Sequence, residues 1–140
     1  MTDVREDVQR RCNTIEEAYE FMLAYAAQGL PGDVGSQSGG QLREFLTRAA
    51  TALREIGDVF GALIESAPLE PEARYRAFVA VLDRDARDSL AAVELVLAQP
   101  SISSQLIDNL NASIHLRALL TDLFLNDELL TSQPTATGAS

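Results

Sequence analysis

Residues 41–66, "QLREFLTRAATALREIGDVFGALIES", decide how this chain folds. Their apolar members are Leu42, Phe45, Leu46, Ala49, Ala50, Leu53, Ile56, Phe60, Leu63 and Ile64. They recur at steps of three and four, which lines one face of a helix with 3.6 residues per turn. Arg43, Glu44, Arg48, Arg54, Glu55 and Asp58 fall on the other face. Gly57 and Gly61 sit four apart, and each weakens a helix by about 1 kcal/mol relative to alanine. Their spacing suits either a tolerated cost or the close approach of a neighbouring helix.

The same period extends to both sides. Val4, Val8, Cys12, Ile15, Tyr19, Met22 and Ala26 form one stripe, predicting a continuous helix over 3–28. Thr14 and Glu17 have the spacing of a capping box, but the stripe runs through them unbroken. Gly29 and Pro31 end this helix, glycine just past the last turn and proline beyond it. A third stripe, Phe78, Val79, Leu82, Ala86, Leu90, Val93 and Leu97, opens near Pro71 and closes at Pro100. Pro71 suits a first helical turn, and Glu70 and Glu72 complement the dipole there. On its outer face Asp83–Arg87 and Arg84–Asp88 form i,i+4 pairs, a solvated surface with internal pairing.

The fourth segment begins at Ser101 or Ser103, both suitable N-caps, and continues to about Leu130. Its stretch "LRALLTDLFLNDELL" is apolar around more of its circumference than the other segments. Such a helix is either central to the fold or has a second partner. No segment alternates with period two, and hairpin dipeptides are absent. The expectation is an all-α chain: an up-and-down four-helix bundle over 1–130, with one long Gly-rich loop and a flexible tail over 131–140.

That loop lies within "GLPGDVGSQSGGQ", residues 29–41, which holds five of the eight glycines. A phosphate-binding loop of the Walker type needs a preceding strand and a lysine. Here a helix precedes it, the chain has no lysine, and Asp33 adds negative charge. The expected role is a slack connection, longer than the roughly 2–8 residues usual between packed helices.

Composition narrows the function. The chain has 140 residues, the length of one domain, and a net charge of −10. Its arginines are scattered, so neither nucleic acid nor an anionic membrane is an expected partner. All eleven basic residues are arginine, a composition that fits a GC-rich bacterial genome. No apolar run approaches the roughly 20 residues of a membrane span, and the N-terminus is charged, so a cytoplasmic protein is expected.

Catalytic equipment is sparse. One histidine, His115, and one cysteine, Cys12, are present, and no Glu-x-x-His motif occurs. Neither a metal nor another cofactor is expected. Cys12 lies in an apolar stripe, where cysteine behaves as a small hydrophobe. His115 would be the marker of any activity titrating near a pH of about 6.5.

The expected function is therefore non-catalytic: a helical-bundle protein acting through another protein, as adaptor, assembly chaperone or regulatory subunit, and self-associating as a dimer. The expected interface is Asn109, Asn111, His115, Leu116, Leu119, Leu120, Leu123 and Phe124 on the last helix. A buried asparagine between helices can set register or oligomeric state, which gives Asn109 and Asn111 their place. The alternative is a small-molecule binder or enzyme with a polar site in the bundle core, built from Tyr19, Tyr75, Asn111, His115 and Arg117.

Overall fold

The computed structural model describes residues 3–66 and 71–132. Five helices form among these residues: α1 (Val4–Ala27), α2 (Gln37–Ser66), α3 (Glu72–Leu97), α4 (Ser104–Ala112) and α5 (Ile114–Ser132). The flexible tail expected over 131–140 lies, after Ser132, outside the described residues, as does Glu70.

Helix α1 is continuous, as its stripe requires. The Thr14 hydroxyl donates back to the Arg10 carbonyl at 2.9 Å instead of capping a second helix. Asp3 caps the start by accepting from the Arg5 amide. Gly29 ends the helix with φ at +66°, a left-handed conformation that favours glycine. Pro71 is the N-cap of α3, one position outside the helix.

The fourth segment differs from the expectation. It is two helices, because Ser113 leaves helical geometry at ψ 140°. Ser103 caps α4 by accepting from the Leu106 amide at 3.0 Å. Ser113 does the same for α5, accepting from Leu116 at 3.3 Å. A serine hydroxyl that can satisfy an orphan amide makes a local break cheap.

Consecutive long helices run antiparallel. Arg11 meets Glu55 and Phe21 stacks on Phe45 along α1–α2, while Arg54 meets Glu94 along α2–α3. Helix α4 packs on α1, and α5 packs on α3. The break at Ser113 thus lets one apolar segment serve two different neighbours. The core gathers Tyr25, Leu42, Leu46, Ile56, Leu82, Ile102, Ile107 and Leu119, all fully buried. Burying a leucine or isoleucine side chain contributes about 1.5–3 kcal/mol.

The Gly-rich connection is tied down, which corrects its reading as slack. Helix α2 starts at Gln37 and takes in Gly39 and Gly40, so the link is shorter than the glycines suggest. Ser36 accepts from the Gly39 amide at 2.9 Å. Asp33 is buried, and its carboxylate takes the Arg43 guanidinium at 2.5 Å and the Ile102 amide at 2.6 Å. Arg43 also donates to the carbonyls of Leu97 and Gln99. The Tyr25 hydroxyl donates to the Ile102 carbonyl at 2.7 Å, and Ser104 and Leu30 exchange two bonds. The loop's own charge is therefore spent inside the fold, joining α1, α2 and the entry to α4.

Candidate functional site

Helix α5 presents two chemically different faces. Leu116, Leu119, Leu120 and Leu123 point inward and are buried, Leu119 completely. They were expected at an interface; in the single chain they belong to the core. The reason is the turn at Ser113, which rolls this stripe onto α3. Phe124 is 58% exposed, Leu125 47% and Ile114 75%. Of the expected interface residues on α5, then, Phe124 and His115 lie on the surface and the four leucines do not.

The α4 residues separate in the same way. Asn109 is exposed and accepts from Gln105 at 3.2 Å on its own helix. Asn111 is buried, and neither atom of its amide has a hydrogen-bond partner among the described residues. An unpaired buried amide costs about 1–3 kcal/mol. His115 Nδ1 stands 4.0 Å from the Asp88 carboxylate, with both groups about half exposed. That distance is too long for a hydrogen bond, and the pair attracts only when the imidazole is protonated.

The seam between α3 and α5 carries an acid pair that the sequence alone did not single out. Asp122 is 8% exposed and sits beside Asp85 of α3. Burial, followed by the hydrogen bond and charge of Asp85, pushes the Asp122 carboxyl up to about 7. Two carboxyl groups bond to each other only when one holds a proton. Asp122 Oδ2 has no donor among the described residues, and neither does the buried Ser89 hydroxyl of α3. Asn126, one turn on, donates to the Asp122 carbonyl at 3.0 Å. A signal was present: Asp122 lies three residues from Leu119 and four from Asn126, so all three share one side of α5. It was hidden by the surplus of leucine around it.

Cys12 is buried, and its thiol is pushed up to about 12, mainly by burial and then by Glu16 and Asp127. No group of three or more His, Cys, Asp or Glu that could hold a metal comes together among the described residues. No helix of the described residues is long and apolar enough to cross a membrane. No family model, curated protein or solved structure matches this chain.

Proposed function

We propose that this chain is a non-catalytic, cytoplasmic protein that acts by binding other proteins, and that it self-associates through the outer face of α5. In this reading α4 and α5 together fill the fourth position of a four-rod bundle. The observation that carries the proposal is the exposure of Phe124 and Leu125, neighbours on a helix whose inner face already supplies the core. About half of each side chain stays in water in the single chain, and burial of that half against a second copy gains about 25 cal/mol for each Å² of apolar surface removed. The net charge of −10 favours encounter with a basic partner. A polar site in the bundle core has less support, since His115 and Arg117, two of its five groups, are exposed.

Size-exclusion chromatography with light scattering tests this reading across a range of protein concentrations. A dimer is expected for the native chain. A variant carrying Phe124→Ser and Leu125→Ser is expected to be a monomer of unchanged helicity. A native chain that stays monomeric at every concentration overturns self-association, and so does a double variant that dimerises as strongly as the native chain.

A further inference from the structure

The fold gathers what the sequence scatters. Arg10 and Arg11 of α1 and Arg48 of α2 line one groove of about 330 Å³ between the two helices, with the hydroxyls of Thr14, Thr47 and Thr51. That volume is at the small end of the range for ligand sites. The three guanidiniums are unequal in what already holds them. Arg10 is 2.9 Å from Asp7. Arg11 reaches Asp7 at 3.5 Å and Glu55 at 3.3 Å, yet its Nε is buried without a partner. Arg48 makes no ion pair among the described residues. Its guanidinium lies 4.7 Å above the Phe45 ring, which is itself stacked on Phe21 at 4.6 Å. That contact with the ring face leaves the Arg48 N–H donors without a carboxylate partner among the described residues. Set against Glu55 in the lining and Asp7, the partner of Arg10 and Arg11, these three arginines leave one positive charge in excess within a strongly acidic protein.

The groove also contains acceptors, and they define the ligand. Each threonine hydroxyl donates to its own helix: Thr14 to Arg10, Thr47 to Arg43 and Thr51 to Thr47. With those protons already taken, the threonine oxygens and the Glu55 carboxylate among the lining residues can act only as acceptors. An anion that only accepts hydrogen bonds would leave them opposed to its own lone pairs. An oxyanion that carries a proton satisfies both sets, accepting from the arginines and donating to Glu55 or a threonine.

We infer that the α1–α2 groove is a binding site for a hydrogen-bearing oxyanion, inorganic phosphate or a phosphate monoester. The site is independent of the α5 face. Guanidinium groups pair with phosphate oxygens two at a time, with Arg48 as the preset donor and Arg10 and Arg11 closing from the other wall. Selection against sulfate, which matches phosphate in shape but holds no proton near neutral pH, comes from Glu55.

The test is calorimetric titration near pH 6, about the second pKa of a phosphate monoester, supported by ¹⁵N spectra of the arginine Nε–H groups. Inorganic phosphate, phosphoserine and sulfate are compared at constant ionic strength, so that general screening cancels. Saturable binding of phosphate or phosphoserine is expected, with sulfate at least about tenfold weaker. The tighter of the first two identifies free phosphate or a monoester as the source. Arg48→Ala should weaken binding about tenfold or more, whereas Arg84→Ala on α3 should leave it unchanged. Glu55→Gln should erase the preference over sulfate, because the amide removes the negative charge and adds an N–H donor beside the acceptor oxygen it keeps. Arg48 and Glu55 are exposed, so both variants keep the fold, and circular dichroism verifies it. The inference is overturned by an absence of saturable binding, by sulfate binding as tightly as phosphate in the native chain, or by Arg48→Ala and Arg84→Ala behaving alike.

Discussion

The Asp33 carboxylate and the Arg43 guanidinium, joined Oδ2 to Nε at 2.5 Å, hold three separate segments of the chain in one place. Asp33 also accepts from the Ile102 amide, and Arg43 also donates to the Leu97 and Gln99 carbonyls. Replacing either partner leaves the other buried or half-buried with donors or acceptors unmatched. Asp33→Ala is expected to cost about 2–4 kcal/mol in urea unfolding. The double variant Asp33→Ala with Arg43→Ala should cost less than the sum of the two, by about 0.5–3 kcal/mol. Strict additivity would show that the joint contributes nothing as a pair.

Asp33 and Asp122 make opposite contributions to the pH dependence of stability. The hydrogen bond from Arg43 holds Asp33 below the usual carboxylate range. Its stabilisation is fully present above the unfolded value, about 3.9, and is lost as pH falls through the lowered native value. Asp122 is raised to about 7. Its protonated form is the one the fold accepts, so its contribution is complete below the unfolded value and is lost as pH rises toward 7. Asp122→Asn keeps the shape and cannot ionise. It is expected to stabilise the chain by about 1–3 kcal/mol at pH 8 and to change little at pH 4. Melting curves at the two pH values settle this, and equal shifts at both would refute the assignment.

Three glycines of α2 should respond differently to alanine. A Cβ on Gly39 would run into the backbone of Asp33, and one on Gly57 would meet the Asp83 side chain of α3. Around Gly61 there is open space. Gly61→Ala is therefore expected to stabilise the helix by about 0.5–1 kcal/mol. Gly39→Ala should destabilise the chain, since a backbone yields less readily than a side chain. Of the pair Gly57 and Gly61, only the first marks a close helix approach.

Leu119 and Phe124, five residues apart on α5, should separate folding from association. Leu119→Ala empties a fully buried site and is expected to cost about 2–5 kcal/mol. Phe124→Ser should leave the melting temperature of the monomer within a degree or two, about 0.5 kcal/mol, and act on the dimer instead. A large loss of monomer stability from Phe124→Ser would place that ring in the core and remove the basis of the proposed interface.

Cys12 should resist alkylation in the native chain, since only the thiolate reacts and burial keeps the thiol protonated. Iodoacetamide labelling at pH 8 is expected to be slow in buffer and fast in denaturant. Rapid labelling of the folded protein would show that α1 opens locally near its N-terminal half.

The helical class, the unbroken α1 and the apolar faces were legible in the chain because they depend on local spacing alone. A residue three or four positions from another shares its side of a helix whatever else the protein does. Where one helix turns against another is a different matter, because it depends on contacts between residues far apart in sequence. Ser113 lies in a leucine-rich segment with no glycine or proline beside it to mark a break, and the break there comes with α4 covering α1 while α5 covers α3. The same packing sent Leu116, Leu119, Leu120 and Leu123 into the core. It set Asp122 beside Asp85, and it brought Arg10, Arg11 and Arg48 into one groove. Periodicity reports which side of a helix is apolar; the tertiary packing decides what that side faces, and with it the charge and exposure of every site proposed for this protein.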